Sequence, residues 1–299
     1  MLGIGVLGLG VIGRRYIEGF RASPDFQVIA GYDPGEIDVD VARAGSAQEL
    51  IDNPAVDCVY IATPPSTHEQ LVDAVTRANK AVFCEKPLAP SLLSAQACLD
   101  AVTRTGVPAA VNFPFATAPA AIRLRELVET GALGEGLSAH LRVRFRTWPR
   151  GWQQGAGGWL AGPEQGGFTR EVMSHMVFLA LRLFGPGRLH EATVERGAQG
   201  TETRVKAVLQ FSACRMTIDG AVEGEIEDLN RFEVKGSKGS AVMSEWFRLQ
   251  HESGDIAPAR ADAGQIAELA KLMSTGTSRL ATFREAADVV RIIEDILAA

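Results

Sequence analysis

The sequence predicts an α/β protein with two domains. Residues 1–113 are expected to form a doubly wound parallel sheet, and residues 114–299 an α+β domain with a large, mostly antiparallel open sheet. The first third alternates short, nearly all-apolar runs with amphipathic segments, which is typical of a parallel sheet covered on both faces by helices. A glycine loop directly follows the first run. After about Phe113 the runs lengthen and alternate with period two, which indicates antiparallel strands.

In the first domain, apolar runs of about five residues predict buried strands, and amphipathic runs predict helices between them. The predicted strands are 3–7, 27–32, 58–62, 81–84 and 109–112, and the predicted helices are 11–22, 46–51, 67–77 and 91–105. The hydroxyls of Thr67 and Ser91 can cap two of these helices, and Gly106 with Pro108 can end the last one.

In the second domain, longer alternating runs are interrupted by a few helices. The predicted strands are 137–147, 189–196, 203–211, 215–221, 231–235, 239–243 and 247–251, and the predicted helices are 118–129, 169–184, 262–273 and 283–297. The glycine-rich stretch 151–167, which contains Trp152 and Trp159, is the best candidate for a mobile loop.

The glycine loop GLGVIG at residues 8–13 lies between a strand and a helix, which is the context that dinucleotide binding requires. Gly8 permits a tight turn, Gly10 lets a pyrophosphate approach the backbone, and Gly13 lets the helix pack on the strand. The N–H groups of Val11 and Ile12 would face the phosphates. We therefore predict a Rossmann-type domain that holds a nicotinamide dinucleotide.

Asp33 stands at the end of the second predicted strand, where a carboxylate can accept hydrogen bonds from the adenosine ribose. Its charge would repel a 2′-phosphate, and the sequence between Asp33 and Asp38 contains no Arg or Lys. NAD is therefore favoured as the cofactor, and NADP is left open.

Polar or conformationally restricted residues follow further predicted strands, where ligands of open parallel sheets bind. A lysine beside a carboxylate and fixed by a proline, as in Glu85-Lys86-Pro87, is unusually restrained for a surface charge. Besides the glycine loop and Asp33, the expected cofactor-contacting residues are Ala62, Thr63, Pro64, His68, Glu85, Lys86 and Asn112.

Glu171 and His175 lie four residues apart on an otherwise apolar helix, so they share one face. A buried Glu–His pair is costly unless it is hydrogen-bonded or used in chemistry, and histidine is well suited to moving protons near neutral pH. Both residues are candidate catalytic groups, and a satisfied buried ion pair is the alternative.

Residues for substrate contact are expected near this helix and the glycine-rich stretch. The candidates are Trp152, Trp159, Arg170, Lys86 and His175, with Arg150 as a further one. On the strand from His140 to Arg146, a histidine and three arginines share one face, which favours a solvated or subunit-contacting sheet face over an anion site.

Composition excludes several other functions. A net charge of −6 argues against a nucleic-acid-binding protein. No apolar run reaches the length of a membrane-spanning helix, and the N-terminus resembles a strand more than a signal peptide. The cysteines form no CxxC or Cys/His cluster, so we expect reduced core thiols in a cytoplasmic protein and no metal site.

Taken in order, these motifs resemble the glucose–fructose oxidoreductase / inositol dehydrogenase / rhizopine-catabolism (Gfo/Idh/MocA) family over nearly the whole chain. The resemblance depends on the glycine loop, on Thr63-Pro64 followed by His68, on Glu85-Lys86-Pro87, and on Gly166-Gly167 leading to Glu171 and His175. The run Ile122–Glu135, which ends Thr130-Gly131-Ala132-Leu133-Gly134-Glu135, also matches the family's linking helix.

The resemblance implies roles for residues of this chain. Lys86 would lie near the nicotinamide and position the substrate hydroxyl or relay its proton, and His175 would be the general acid/base, oriented by Glu171. The face of the C-terminal sheet would form the contacts of a homodimer or homotetramer. Glu171 stands where the family usually has Asp, and Phe178 where a second Asp is common, so the substrate pocket is expected to be altered.

We therefore expect an NAD(P)-dependent oxidoreductase that acts on the CH–OH group of a small sugar-like, polyol or hydroxy-acid substrate. Two alternatives stay open. One is a dinucleotide-binding regulator or sensor without turnover, and the other is an imine or lyase-type reaction through a transient oxidation.

Overall fold

A computed structural model describes residues 1–156, 158–223, 225 and 227–299 of the chain, with the backbone alone at residues 154–156. The described strands are β1 (Leu2–Leu7), β2 (Phe26–Tyr32), β3 (Cys58–Ile61), β4 (Ala81–Glu85), β5 (Ala109–Asn112), β6 (Ser138–Phe145), β7 (Gly187–Arg196), β8 (Glu202–Phe211), β9 (Arg215–Val222), β10 (Asp228–Gly236), β11 (Gly239–Ser244) and β12 (Arg248–Gln250). The described α-helices are α1 (Val11–Ala22), α2 (Ala47–Asp52), α3 (His68–Arg77), α4 (Leu92–Thr105), α5 (Pro119–Glu129), α6 (Ser174–Phe184), α7 (Asp262–Thr275) and α8 (Phe283–Leu297).

The chain divides into two compact units. Unit 1 comprises residues 1–113 and 262–287, and unit 2 comprises residues 114–261 and 288–299. The division expected from the sequence, 1–113 and 114–299, differs from these units in the segment 262–287. That segment belongs to unit 1 because α7 packs on α1, where the Arg15 Nε donates to Asp262 at 2.6 Å and Gly19 leaves room for Ile266.

Unit 1 contains a five-stranded parallel sheet of order β2-β1-β3-β4-β5, which confirms the predicted doubly wound sheet. The strand order reverses between β1 and β3, so ligands are expected beyond the carboxyl ends of those strands. Fully buried side chains such as Ile4, Phe20, Tyr60 and Phe83 fill the space between sheet and helices. Each such side chain stabilises the fold by roughly 1.5–3 kcal/mol.

Helix ends in unit 1 follow the predicted capping in one case and not in another. The Ser91 hydroxyl accepts the backbone N–H of Ser94, and α4 ends at Gly106 in the left-handed conformation, with φ +70°. At α3, Thr67 makes no capping bond, so that prediction was wrong. The Thr67 hydroxyl donates instead to the Pro64 carbonyl at 2.8 Å, which tightens the loop before the helix.

Unit 2 contains a seven-stranded sheet of order β12-β11-β10-β6-β9-β8-β7. The pair β6/β9 is parallel and the other paired strands are antiparallel, which confirms a mostly antiparallel sheet. Along β6, Leu141 and Val143 are fully buried, whereas His140 and Arg142 are exposed. The alternation leaves one face of β6 polar, as the sequence predicts.

The glycine-rich stretch contains short 3₁₀ turns at Gly151–Ala156 and Gly158–Ala161, where the sequence suggests an irregular loop. Gly157, which the prediction of a mobile loop includes, lies outside the described residues.

All four cysteines are free and buried, as expected for core thiols. Burial raises the pKa of Cys98 to about 12 and that of Cys214 to about 11, so both stay protonated at neutral pH. Within the described ranges, no helix combines the length and apolar character needed to cross a bilayer.

Candidate functional site

The glycine loop of unit 1 is shaped by two close backbone approaches. Gly8 adopts φ +91°, and a Cβ there would lie 2.5 Å from the carbonyl oxygen of Ala62, at the end of β3. A Cβ on Gly13 would overlap the carbonyl oxygen of Gly8, so α1 starts directly against the loop. Side chains are therefore excluded at Gly8 and Gly13 by the protein itself.

Gly10 differs from these two glycines because a Cβ built on it meets no described atom within 4 Å. It is the N-cap of α1, its φ is −68°, and no side chain caps the helix there. Val11, the next residue, is half exposed. An uncapped helix N-terminus beside open space suits a pyrophosphate, because the first backbone N–H groups of a helix attract anions. The loop therefore fits a dinucleotide.

Asp33 lies one residue beyond β2 and hydrogen-bonds to the glycine loop. Its two carboxylate oxygens accept the backbone N–H groups of Leu9 and Gly35, each at 2.9 Å. Each oxygen keeps a second lone pair that can accept a ribose hydroxyl. Arg43, which no sequence motif places here, donates from its guanidinium to the carbonyl oxygens of Asp33 at 3.0 Å and Gly35 at 3.1 Å.

The loop after β3 carries Ala62, Thr63 and Pro64, all half-buried. His68, which the sequence suggests as a cofactor contact, is fully buried. Its Nε2 lies 2.8 Å from the Thr63 carbonyl oxygen, and its Nδ1 lies 3.1 Å from the Leu88 carbonyl oxygen. These contacts support a role in holding loops together and disfavour direct contact with a cofactor.

Glu85 and Asn112, at the ends of neighbouring strands, belong to a buried hydrogen-bond network. The Asn112 Nδ2 donates to Glu85 Oε1 at 2.6 Å, the Tyr60 hydroxyl donates to the same oxygen, and the Tyr16 hydroxyl donates to Asn112 Oδ1 at 2.9 Å. Burial raises the pKa of both tyrosines well above the usual value, so both remain hydrogen-bond donors. Half-buried Lys86 follows directly, and its backbone N–H faces Glu85 Oε2 at 3.3 Å.

In unit 2, Glu171 and His175 lie where two kinds of helix meet. Thr169–Met173 forms a π-helical turn, and α6 begins at Ser174, whereas the sequence predicts one continuous α-helix. Single π-helical turns inside α-helices occur frequently at functional sites. Glu171 is half-buried and His175 is buried, and the structure brings both to the start of α6.

Two aromatic side chains that no sequence motif predicts contact His175. The His175 ring makes edge contacts with Trp246, at 5.6 Å between centroids, and with Phe115, at 5.9 Å. Trp246 has φ +63° and follows Glu245 at φ +47°, two left-handed residues that are not glycine. The strain is offset by Asn230, whose Oδ1 accepts the Trp246 N–H at 2.7 Å. No glycine marks this turn, so composition could not reveal it.

Arg150 occupies an aromatic cage close in sequence to the predicted substrate residues. Its guanidinium carbon lies 4.9 Å from the ring centroid of Trp152 and 5.4 Å from that of Trp246, and its Nη1 donates to Asp228 at 2.8 Å. Its Nε donates to Gln153 Oε1 at 2.9 Å, which supports a structural role for the cation in the cage.

Two other candidates for substrate contact have different surroundings. Arg170 forms a two-point ion pair with Glu294, at 2.7 and 2.8 Å, and donates to the Pro163 carbonyl at 2.6 Å. Because its guanidinium is bound within unit 2, Arg170 is better explained as an anchor of α8 than as a substrate ligand. Trp159 is half-buried, and Trp152 is 56% exposed.

Comparison with known proteins identifies a single family. Residues 2–113 match the GFO/IDH/MocA model described as an oxidoreductase family with an NAD-binding Rossmann fold. Residues 121–242 match the model of the GFO/IDH/MocA C-terminal domain.

Among the curated relatives are an oxidoreductase and an inositol dehydrogenase. An oxidoreductase of Formosa agariphila is 27% identical over 207 residues, covering 67% of this chain and 63% of its own length. Inositol 2-dehydrogenase of Rhizobium meliloti is 31% identical over 137 residues, covering 44% of this chain and 42% of its own length. The matched part of the chain thus spans less than two thirds of either relative.

Solved structures extend the fold likeness over the full chain. Levoglucosan dehydrogenase, in a complex with NADH and L-sorbose, superimposes with a TM-score of 0.84 at 19% identity, covering 99% of this chain and 96% of that one. At this identity the likeness shows the shared fold.

Proposed function

The chain belongs to the GFO/IDH/MocA family of oxidoreductases, and on that premise we propose that it is an NAD-dependent dehydrogenase acting on the CH–OH group of a small sugar-like, polyol or hydroxy-acid substrate. The observation that carries the proposal is the carboxyl edge of the parallel sheet in unit 1. There the glycine loop at residues 8–13, which we call the dinucleotide cradle, follows β1, and Lys86 follows β4 in the same sheet.

The proposal divides the chemistry between cofactor and protein. A bound nicotinamide supplies a hydride acceptor for the carbinol carbon. The substrate hydroxyl must at the same time lose its proton, which passes to His175 or Lys86. A rigidly held Glu85 fixes the backbone at Lys86, and aromatic contacts with Trp246 and Phe115 hold the His175 ring. Such restraint lowers the cost of reaching a reactive geometry.

Turnover with a panel of substrates tests this function. Purified protein with NAD should show substrate-dependent absorbance at 340 nm with at least one cyclic polyol, aldose or hydroxy acid. Tight NADH binding without any substrate-dependent change would favour the regulator alternative, which the presence of proton-handling residues disfavours. Analysis of the product would separate simple dehydrogenation from an imine or lyase-type reaction.

Replacing Gly10 by alanine should weaken NADH binding about 100-fold or more while the fold stays intact. Apart from its chain neighbours, the new methyl group meets no described atom within 4 Å, and the backbone conformation suits alanine, so we expect a loss of stability below about 1 kcal/mol. The methyl would occupy the space of the pyrophosphate. Titration of NADH fluorescence and thermal unfolding measure the two effects.

Gly13→Ala is the matched control, because its methyl overlaps the Gly8 carbonyl and should reduce both stability and binding. Unchanged NADH affinity in Gly10→Ala would contradict the proposed place of the cofactor.

Replacing Asp33 by serine should weaken NADH binding about tenfold and shift the preference towards NADPH. The substitution removes the carboxylate that would repel a 2′-phosphate, and the Arg43 guanidinium, 3.0 Å from the Asp33 carbonyl oxygen, then supplies a positive charge. The ratio of the two dissociation constants measures the shift. Adding Arg43→Ala should reverse the gain for NADPH, and an unchanged ratio in Asp33→Ser would exclude Asp33 as the selecting residue.

Assembly and location form part of the proposal. The exposed face of β6, with His140 and Arg142, supports a homodimer or homotetramer formed through the sheet of unit 2, which the molar mass in solution tests. Four free, buried cysteines support a location in the reducing cytoplasm.

A further inference from the structure

His68 lies fully buried between two loops of unit 1, one after β3 and one after β4. Its ring nitrogens lie 2.8 Å from the Thr63 carbonyl oxygen and 3.1 Å from the Leu88 carbonyl oxygen. A single side chain therefore links the ends of two neighbouring strands beyond the point where the sheet hydrogen bonds stop.

The loop on the first side is tightly built and touches the glycine loop. The hydroxyls of Thr63 and Thr67 lie 2.7 Å apart, and Thr67 also donates to the Pro64 carbonyl. The carbonyl of Ala62, just before it, lies so close to Gly8 that no side chain fits between them. Movement of Thr63 would therefore disturb the dinucleotide cradle.

The loop on the second side carries Lys86 between two anchors. On its N-terminal side, Glu85 is held by Tyr60 and Asn112. On its C-terminal side, Leu88 is fully buried and its carbonyl contacts His68. With Glu85 fixed, His68 supplies a side-chain contact that restrains the other end of this short segment.

We propose that His68 is a positioning residue: its buried ring lies between the Leu88 and Thr63 carbonyls, donates a hydrogen bond to one and packs against the other, and so fixes the backbone at Lys86 relative to the dinucleotide cradle. The catalytic role of Lys86 comes from the proposed function, so this inference rests on the proposed function. His68 itself touches neither substrate nor cofactor, because its side chain is fully buried.

The protonation state of His68 guides the choice of variants. Burial lowers its pKa, so the ring is neutral at neutral pH and carries one N–H. A neutral ring donates to one carbonyl at a time, according to its tautomer. Glutamine, whose amide group donates but is shaped differently, can preserve the hydrogen bond to one carbonyl, whereas leucine fills similar space and preserves only the packing.

The test compares His68→Leu and His68→Gln with Val72→Ala, a control on the same helix. Val72 is also fully buried, so its truncation weakens the packing of α3 without removing a tie to either loop. The readouts are hydrogen exchange of the backbone amides of Lys86, Leu88 and Ala89 and the rate at which an amine-specific reagent modifies Lys86, both followed by mass spectrometry.

In His68→Leu we expect faster exchange in residues 86–89 and modification of Lys86 that is faster by about threefold or more. His68→Gln should lie between this variant and the native protein, and Val72→Ala should leave both readouts near native values. With an active substrate, kcat should fall between about 10- and 100-fold in His68→Leu, and the dissociation constant of NADH should change less than kcat.

Native-like exchange and modification in both His68 variants would overturn the inference, as would equal changes in Val72→Ala. If His68→Leu does not fold, His68→Gln carries the same comparison. The exchange and modification readouts need no substrate, so their outcome is independent of whether the proposed reaction is found.

Discussion

Turnover is expected to fall about 1,000-fold when Lys86 is replaced by alanine, while the dissociation constant of NADH changes less than about threefold. A side chain that transfers or positions a proton in the transition state contributes roughly 10²–10⁴ to the rate. Lys86 extends from a backbone segment fixed by Glu85 and Leu88, and its removal leaves those anchors in place. Initial rates with saturating substrate and fluorescence titration of NADH measure the two quantities separately.

The matched control is Lys80→Ala, since Lys80 and Lys86 flank the same strand, β4. The Lys80 ammonium donates to the carbonyls of Asn53 at 2.7 Å and Val56 at 2.6 Å, far from the carboxyl edge of the sheet. Its loss should lower stability and leave kcat near the native value. A Lys86→Ala protein with native kcat would refute the role of Lys86 in proton handling.

Replacing His175 by asparagine is expected to lower kcat between about 100- and 10,000-fold and to remove one ionisation from its pH profile. Asparagine can retain a hydrogen bond at this position but cannot exchange a proton near neutral pH. Trp246 and Phe115 contact the ring of His175 and do not depend on its protons. The substitution therefore removes the proton-exchanging group and leaves these aromatic neighbours in place. Turnover measured from acidic to alkaline pH tests this expectation.

His140→Asn provides the comparison within unit 2. His140 is exposed on β6 and its Nδ1 lies 2.7 Å from the Thr217 hydroxyl, so its replacement should leave the pH profile unchanged. If His175→Asn keeps the native ionisation, the general acid/base must be another residue.

Much of the fold could be predicted because its determinants are local. Short apolar runs bounded by glycine and polar residues specify the strands of unit 1, and Ser91 and Gly106 specify the ends of α4. The assignment of 262–287 to unit 1 could not be predicted, because it depends on packing of α7 against α1 across more than half of the chain. Periodicity identifies a helix but not its packing partner.

The candidate site shows the same division. Gly8, Gly13 and Lys86 were recognisable because backbone geometry or motif spacing restricts the residue types there. Arg43 lies beside Asp33 because of the path of a loop, and Trp246 lies beside His175 because of a strained turn. Neither leaves a pattern in the sequence.

The return of the chain to unit 1 has a consequence for folding during synthesis. Ile266 and Leu269 of α7 and the nearby Leu280 complete the apolar cluster that includes Ile17 and Phe20. During translation, residues 1–113 therefore leave the ribosome with part of their apolar surface uncovered. Domains generally fold as units from the N-terminus, yet here part of the first unit, residues 262–287, emerges only after residues 114–261. Residues 114–261 must therefore be synthesised before the nucleotide-binding unit is complete.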